Sequence, residues 1–443
     1  MKELRILGIA ASIRNRGNTG ELKEAILNIN CKEDLEYLIE KLSRSKRISN
    51  SEACLIASLY GAVKEGASID ILPLNKYFSV NYSKRGKKEE ALLKDMGEFD
   101  GLVIATPVYF GDRSSYAESF INVLKMNGLF RDKAVGVVSV GAKRNGGQET
   151  TNVYTLWEAL KEGAFVCSNG PSISQYGGTA WAGDIGSIRE DLSGIDTSVG
   201  VGHRVTQVAE IIKKSGSGAL DSFKVSFWLT KDKDGLLEAQ IMDHIGRVKT
   251  LLPDWVEFEV INITEKRIKR CLACDICPYH FDNPAQYGIF KCKVQNDDIH
   301  TIYGSLINSD AVVVAGLNLI SKRGVKDAYQ IFIERTRQIR RDNFLLTNVP
   351  VTAYSLEEIG LSNLFPLKVM TTFLRQNSIL LRPIEQYMSG GEIVNDPHEL
   401  LVDFINKAIL IKKGRSQIQR RKVSYEAVGY GFKGADSLTN WRK

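Results

Sequence analysis

The stretch ASIRNRGNTGE, residues 11–21, carries the side chains best suited to binding an anion. It lies between an apolar run, RILGIA, and a helix-like run, ELKEAILNI, so its backbone N–H groups should gather at a helix N-terminus, where negative charge is favoured. Gly17 and Gly20 permit close approach of the backbone. The candidate phosphate-binding side chains are Ser12, Arg14, Asn18 and Thr19. A plain helix cap made by Asn18 or Thr19 is the alternative.

A second stretch, KRCLACDICPYHFDNPAQYGIFKCKVQNDDI, contains four cysteines in a metal-binding pattern. They are Cys271, Cys274, Cys277 and Cys292. Three closely spaced thiolates with a fourth from farther along the chain meet the ligand demand of a [4Fe–4S] cluster. Zinc is an alternative, with His280 near enough to replace one thiolate. A redox-active thiol pair and a metal-free segment also stay open.

The elements that must position these residues alternate between short apolar runs and longer amphipathic runs, a pattern typical of α/β proteins with parallel sheets. In the first half the predicted strands are residues 5–10, 68–72, 101–106, 134–140 and 164–166. In the second half they are residues 223–228, 257–261, 311–315, 348–353 and 379–381. Two five-stranded, doubly wound domains are therefore expected.

The two halves also resemble each other locally. EFDGLVIATPVYFGDRSSYAESFINVLK aligns with NSDAVVVAGLNLISKRGVKDAYQIFIERT at an offset close to 210 residues, which indicates a duplicated domain. The Gly/Ser-containing KKSGSGA has the composition of a flexible connection. The predicted organisation is a first domain at 1–212, a linker at 213–219, a second domain at 220–411 and a basic tail at 412–443.

Further loops end the third and fourth strands, at the carboxyl edge where open α/β sheets bind ligands. These are ATPVYFGDRSS and VGAKRNGGQETT, followed by NGPSISQYGGTAW. Together with ASIRNRGNT, they resemble the NADPH-dependent FMN reductase group of flavodoxin-like proteins over residues 3–212. The group's proline after the serine is Ile13 here, and a charged segment, CKEDLEYLIEKLSRSKRIS, lengthens the first crossover.

The resemblance implies that Ser12, Arg14, Asn18 and Thr19 hold the phosphate of FMN. It implies that two loops line the isoalloxazine ring: Pro107, Val108, Tyr109, Phe110 and Gly111 on one side, and Gly141, Arg144, Asn145, Gly146 and Gly147 on the other. In the group, the stretch containing Tyr176 approaches the flavin or a partner subunit. Ordinary strand-end packing of Tyr109 and Phe110, and a simple glycine turn after Tyr176, are the alternatives.

The second half departs from this pattern. Its first loop, LTKDKDGLLE, places Asp232 and Asp234 where a phosphate would lie, and carboxylates repel a dianion. We therefore expect no FMN there. The cysteine stretch follows the second strand, where the similar iron–sulfur flavoproteins carry their cluster, although the gap before Cys292 is longer than usual. We hypothesise a fused dimer in which one FMN and one cluster face each other.

The resulting hypothesis is an FMN-dependent oxidoreductase that moves electrons from NAD(P)H to a flavin, a quinone or another small acceptor, with the iron–sulfur cluster taking part. An electron-transfer flavoprotein serving a protein partner, and a non-catalytic binding module, are the alternatives. The acceptor would be a small molecule or a redox protein, and the chain could pair as a homodimer.

Composition sets outer limits on these hypotheses. With 443 residues and 43% hydrophobic content, the chain can bury two cores. No apolar run approaches the length of a membrane span, and the seven cysteines do not form a secreted disulfide pattern, so we expect a cytoplasmic protein. Part of the formal charge of +7 lies in the basic tail, which could contact nucleic acid or an acidic partner. Few aromatic residues interleave with these charges and no nucleic-acid-binding fold signature is present, so we expect a solvated tail and no nucleic-acid partner. The scattered histidines are interpreted as structural.

Overall fold

The computed structural model describes residues 3–15, 17–80, 89–171, 173–216, 218–273, 294–341 and 344–418. The chain divides into two compact units, the first running to Glu210 and the second beginning at Ile211. Within these ranges, no helix is both long enough and apolar enough to cross a membrane.

The first unit alternates strands and helices along the chain. Its strands are β1 (Arg5–Ala10), β2 (Ser68–Pro73), β3 (Gly101–Pro107), β4 (Ala134–Gly141), β5 (Phe165–Val166) and β6 (Gly178–Trp181). Its helices are α1 (Thr19–Leu27), α2 (Lys32–Arg44), α3 (Asn50–Lys64), α4 (Glu89–Met96), α5 (Ser115–Met126), α6 (Gln148–Lys161) and α7 (Leu192–Lys213), the last of which ends just past the boundary between units.

The sheet of the first unit is parallel and has the strand order β2-β1-β3-β4-β5. This is the doubly wound order of flavodoxin-like folds, in which ligands bind beyond the carboxyl ends of the strands. The central strands β3 and β4 are almost entirely buried, as expected of apolar strands covered by helices on both faces. The sheet therefore presents the ends of β1, β3 and β4 side by side.

The charged segment that lengthens the first crossover forms helix α2. Its apolar stripe, formed by Leu35 and Ile39, is buried, while its charged positions face outward. Helix α3 behind it is buried continuously from Ser51 to Ala62. Gly202 of α7 lies so close to α3 that an added Cβ would fall 1.6 Å from the Ser58 carbonyl oxygen. Helix α3 thus packs against both the inserted helix α2 and helix α7.

The second unit has the same alternation. Its strands are β7 (Phe223–Asp232), β8 (Val256–Asn262), β9 (Ala311–Asn318), β10 (Lys326–Asp327), β11 (Pro350–Glu358), β12 (Ile379–Leu380), β13 (Ile384–Ser389) and β14 (Glu392–Ile393). Its helices are α8 (Leu236–Lys249), α9 (Ile299–Ile307), α10 (Tyr329–Arg335), α11 (Arg337–Arg341), α12 (Phe365–Leu374) and α13 (His398–Ser416).

The parallel strands of the second unit follow the order β8-β7-β9-β11-β12, with β13 beside the carboxyl half of β11. This repeats the strand order of the first unit, as a duplication would predict. The duplication itself, and the domain boundaries with their linker and tail, stay predictions. The α/β architecture with mostly parallel strands is confirmed.

The prediction of two five-stranded, wholly parallel sheets is too simple. The described residues contain β6 beside β4 in the first unit, and β10 and β14 pair antiparallel in the second. Strands β6 and β13 pair with the carboxyl-terminal halves of β4 and β11, beyond the ends of the short strands β5 and β12, and β10 pairs with the last residues of β7. The last helix, α13, also runs to Ser416, so the first residues of the predicted basic tail are helical.

Candidate functional site

The first loop joins β1 to the N-terminus of α1. The Asn18 side-chain oxygen accepts hydrogen bonds from the backbone N–H groups of Gly20 and Glu21, at 3.0 and 3.4 Å, so Asn18 is the N-cap of α1. Asn18 therefore makes the helix cap that the sequence analysis gave as the alternative to phosphate binding. The cap does not accept a hydrogen bond from every N–H group of the loop: those of Gly17 and Asn18 have no acceptor among the described residues. These two amides remain available to an anion.

The other three predicted side chains lie in the same loop or at the start of α1. Ser12 is buried, and its Oγ accepts the Arg14 N–H at 3.1 Å, which folds the loop back at the end of β1. The side chain of Arg14 is exposed, and Thr19 begins α1 in a half-buried position. The four predicted phosphate-binding residues thus lie in one short loop at a helix N-terminus.

Asn15, which the sequence reasoning missed, fixes the shape of this loop. Its Nδ2 donates to the Ala10 carbonyl oxygen at 2.7 Å, and its Oδ1 accepts from the Ser49 hydroxyl at 3.0 Å. Its carbonyl oxygen accepts from Asn75 Nδ2 at 2.8 Å. A buried asparagine with all these partners is a structural anchor. No local signal could have identified it, because Ser49 and Asn75 are distant in sequence.

The second loop is a tight turn at the end of β3. Tyr109 and Asp112 exchange two backbone hydrogen bonds of 2.7 and 3.0 Å, and the central residues Phe110 and Gly111 have positive φ angles of 52° and 82°. Tyr109 is 54% exposed and Phe110 is fully exposed. Strand-end packing therefore does not explain these rings. An aromatic residue held exposed in the left-handed region suggests a surface that receives a planar ligand.

Hydrogen bonds tie the second loop to the first. The Ser114 hydroxyl donates to the Ala11 carbonyl oxygen at 2.6 Å, and the Ser114 N–H donates to Thr106 Oγ1 at 3.0 Å. The neighbouring Arg113 is buried and forms ion pairs with Glu118 and Glu158. Burial alone would lower the pKa of Arg113, but these carboxylates raise it above its ordinary value, so the charge is permanent.

The third loop follows β4 and contacts the second. Gly147 has a φ of 97°, and a Cβ added there would lie 2.7 Å from the Gly111 Cα. The two loops that the resemblance assigned to opposite sides of a ring therefore approach each other at their glycines. Pro107 and Val108 continue β3 into this region, where the Val108 N–H donates to the Val140 carbonyl oxygen at 2.9 Å.

Several polar groups of the third loop are already engaged. Arg144 pairs with Asp191, a buried carboxylate that also accepts the Trp181 N–H at 2.8 Å. The Gly146 N–H donates to Gln148 Oε1 at 2.8 Å. Asn145 is exposed and Gly141 is buried at the end of β4. Arg144 and Gly146 thus shape the loop, and Asp191 was missed because it lies 47 residues away.

The stretch that contains Tyr176 packs close to β4. A Cβ added at Gly177 would lie 2.4 Å from the Val137 carbonyl oxygen, which explains the glycine there as a close approach of two backbones. Tyr176 is half-buried. A flavin-contacting role for Tyr176 stays a prediction.

In the second unit, a carboxylate of the corresponding loop accepts the hydrogen bonds that an anion would accept. The buried carboxylate of Asp232 accepts backbone N–H groups from Lys233, Leu237 and Glu238 at 2.6, 2.8 and 3.4 Å. The amides of Leu237 and Glu238 lie in the first turn of helix α8. A side chain thus occupies the position that a phosphate would need, and Asp234 beside it has a positive φ of 52°.

The cysteine cluster is only partly described. Cys271 is half-buried, and its Sγ accepts the Ala273 N–H at 3.4 Å. Cys274, Cys277 and Cys292 lie outside the described residues, as does His280. No group of three metal-ligating side chains occurs within the described part of the chain.

The two ends of the cysteine stretch are clamped together by buried charges. Asp297 accepts the Lys269 N–H at 3.0 Å and pairs with Arg335, whose guanidinium also donates to the Lys269 carbonyl oxygen at 2.9 Å. Asp298 and Arg267 exchange two further hydrogen bonds of 2.8 and 3.0 Å. The described residues on either side of the stretch are therefore held next to each other.

Part of the chain is similar in sequence to known proteins. Residues 4–170 match the sequence model of the NADPH-dependent FMN reductase family. An iron–sulfur flavoprotein of Methanocaldococcus jannaschii is 29% identical over 214 residues, covering 48% of this chain and all of the relative. An iron–sulfur flavoprotein of Methanosarcina thermophila is 26% identical over 131 residues, covering 28% of this chain and 64% of the relative.

Among solved structures, the flavodoxin, WrbA-like protein from Agrobacterium tumefaciens is similar to 47% of this chain and 98% of that chain, with 17% identity and a TM-score of 0.27. A likeness of this size adds nothing to the strand order described above. The family match and the flavoprotein relatives support FMN-dependent oxidoreductase activity.

Proposed function

We propose, from the match of residues 4–170 to the NADPH-dependent FMN reductase family and from the likeness of part of the chain to iron–sulfur flavoproteins, that this chain transfers electrons from NAD(P)H to a small acceptor. The acceptor class is a flavin, a quinone or a similar small molecule. One observation carries the proposal: three loops at the carboxyl edge of a parallel sheet converge on free amides and exposed aromatic rings.

The residues of the first loop fit the phosphate of FMN. The N–H groups of Gly17 and Asn18 donate to no acceptor among the described residues. The hydroxyl groups of Ser12 and Thr19 can act as further donors. The exposed Arg14 side chain supplies a positive charge. Asn18 contributes its backbone, because its side-chain oxygen already caps α1. Together these groups would neutralise and orient a phosphate.

The second and third loops fit a planar ring. Tyr109, Phe110 and Gly111 would contact one part of the ring, and Asn145 and Gly147 another, with Arg144 holding the third loop in place through Asp191. Bound FMN accepts a hydride or two electrons and can release them one at a time. The chain's residues would bind this group and orient it, and NAD(P)H would supply the hydride.

The cysteine stretch would hold a [4Fe–4S] cluster as a second redox group in the same chain. Cys271 already accepts a backbone N–H at its sulfur, an interaction that tunes the potential of such clusters. Cys274, Cys277 and Cys292 would complete the ligand set, and the clamped base of the stretch would bring both ends of the loop together. Zinc, bound by the same cysteines, is the alternative metal.

A second candidate function is electron transfer to a protein partner. The fully exposed Phe110 and the half-exposed Tyr109 favour it, because exposed aromatic rings suit a protein contact as well as a small molecule. Pairing of two chains as a homodimer belongs to the same proposal. Rapid bleaching of the flavin by NADPH alone, followed by turnover with a quinone, would favour the reductase over the carrier.

The proposal is tested by anaerobic purification of the full chain, a visible spectrum, and counts of FMN, iron and zinc per chain. We expect bound FMN and about four iron atoms per chain. A colourless chain that does not take up FMN would contradict the flavin site, and zinc in place of iron would contradict the cluster.

A further inference from the structure

Asn15 lies in the first loop, two residues before Gly17, and its own polar groups are all directed into the chain. Its backbone N–H donates to the Ser12 carbonyl oxygen at 3.3 Å, and its side chain is buried. Its Nδ2 donates to the Ala10 carbonyl oxygen at 2.7 Å, and its Oδ1 accepts the Ser49 hydroxyl at 3.0 Å. A residue placed in this way acts on a bound phosphate through the backbone that it holds.

The chemistry of these partners fixes the direction of the Asn15 amide. The Ala10 carbonyl oxygen only accepts hydrogen bonds, so the atom that faces it is the amide nitrogen. Ser49 is the N-cap of α3, and its Oγ accepts the Glu52 N–H at 3.2 Å, which leaves its hydroxyl proton for Asn15 Oδ1. The side chain therefore bridges the end of β1 and the start of α3 in one orientation.

A third contact fixes the backbone that leads to the two amides without a described acceptor. Asn75, in the helical turn Leu74–Lys76 that follows β2, donates from Nδ2 to the Asn15 carbonyl oxygen at 2.8 Å. Because a peptide unit is planar, holding its carbonyl oxygen fixes the plane of the unit that follows Asn15. The first loop is thus tied to an element 60 residues farther along the chain.

The far side of the amide pair is fixed as well. Asn18 caps α1 with its side-chain oxygen, and a Cβ added at Gly17 would lie 2.4 Å from Leu22 Cδ1 and 3.5 Å from Glu52 Oε1. The Glu52 carboxylate also accepts the Ser49 N–H at 2.8 Å. The Gly17 and Asn18 amides therefore lie between two pinned points, so a ligand does not bear the entropy cost of ordering them.

We propose that Asn15 is a positioning residue which, together with Asn75, gives the first loop its preference for a phosphorylated ligand. It acts through the backbone that leads to the Gly17 and Asn18 amides. This inference rests on the proposed FMN site. Because the ring of the flavin would contact the second and third loops, loss of Asn15 should weaken a flavin that carries a phosphate and spare one that lacks it.

The test compares FMN with riboflavin, which has the same ring and ribityl chain but no phosphate. The flavin-free full chain is titrated with each flavin, and the quenching of flavin fluorescence gives the two dissociation constants. The readout is their ratio, because a merely structural loss would weaken both flavins by the same factor. We expect the unchanged chain to bind FMN at least about tenfold more tightly than riboflavin, since the phosphate forms charge-assisted hydrogen bonds.

Asn15→Ala should lower FMN affinity by about tenfold, the effect of one lost hydrogen bond to a charged group, and change riboflavin affinity by less than about twofold. Asn75→Ala changes a half-buried residue and should lower FMN affinity by about threefold with the same selectivity. This variant carries the test if Asn15→Ala does not fold.

The matched control is Asn262→Ala in the second unit. Asn262 is also half-buried, and its side chain donates to Glu238 at 2.6 Å and accepts the Thr264 N–H at 3.1 Å. Its loss should change neither dissociation constant, because it belongs to none of the three flavin loops.

The outcomes separate this inference from the proposed function. If the unchanged chain binds neither flavin, or binds both equally, the proposed phosphate site is wrong and the positioning role is overturned with it. If the unchanged chain prefers FMN, the positioning role alone is overturned when Asn15→Ala, or Asn75→Ala in its place, keeps that preference or weakens both flavins equally. A loss of preference in Asn262→Ala as large as in Asn15→Ala would also overturn it.

Discussion

Individual residues decide which loops of this molecule can receive an anion. In the first unit, Asn18 caps α1 and still leaves two amides without a described acceptor, whereas in the second unit the Asp232 carboxylate accepts three amides itself. The sequence alone indicated a contrast between the two loops, because their residue types differ in charge. It did not predict Asn15 or Asp191, whose partners are far along the chain.

At this scale, Gly147 offers a direct test of the ring-binding loops. Gly147→Ala places a Cβ 2.7 Å from the Gly111 Cα on a backbone with a φ of 97°, so the two loops must separate. We expect unfolding free energy to fall by about 1–2 kcal/mol and FMN affinity to fall by about tenfold. Gly183→Ala, at an open position in the same unit, should change neither quantity in denaturation and flavin-titration measurements.

His244 makes a second prediction, concerning pH. Burial lowers its pKa in the folded chain, with Gln386, Asp396, Arg247 and Asp243 as the neighbouring polar and charged groups. Below the ordinary histidine pKa of about 6.5, the unfolded chain therefore binds a proton that the folded chain refuses, and stability decreases as pH falls. Stability against urea should lose part of this pH dependence in His244→Gln. An unchanged slope between pH 5 and pH 7 would contradict the neutral imidazole.

The elements reproduce the predicted alternation closely. Each of the ten predicted strands has a counterpart in the structure, because buried β-branched runs between helix-like segments are a strong local signal. The missed strands, β6, β10, β13 and β14, lie in irregular segments whose pairing depends on the sheet edge beside them. The periodicity of apolar residues along the sequence does not show with which strand such a short segment will pair.

At this scale, the clamp that closes the cysteine stretch can be tested. Asp297→Asn removes one partner of a fully buried ion pair, so we expect unfolding free energy to fall by about 3 kcal/mol and iron retention to decrease. Glu265→Gln breaks the exposed pair with Lys326 and should leave the unfolding free energy nearly unchanged, because solvent screens the pair. Equal losses in the two variants, measured by denaturation, would show that the clamp has no special role.

At the scale of the whole molecule, the two units share a strand order and differ in their loops. At the carboxyl edge of its sheet, the first unit has two amides without a described acceptor and two exposed aromatic rings. In the second unit, the Asp232 carboxylate accepts the first amides of α8, and Asp297 binds the chain at the start of the cysteine stretch. The sequence could separate these roles because glycines, aromatic residues and cysteines are concentrated in different halves. It could not supply the contacts that fix each loop.

This division predicts that the two proposed redox groups can be removed separately. Cys274→Ser should abolish iron binding and leave bound FMN unchanged, because Cys274 belongs to the stretch that begins at Cys271, outside the flavin loops. Cys167→Ser is the matched control, since burial raises the pKa of the Cys167 thiol to about 12 and keeps it unreactive. Loss of FMN together with iron would contradict independent sites.

The central claim is that the first unit binds one FMN at its free amides. It is tested most directly by adding NADPH to the anaerobically purified full chain and recording the visible spectrum. The account predicts about one FMN per chain and loss of its yellow absorbance on mixing. A colourless chain that fails to bind added FMN would contradict it.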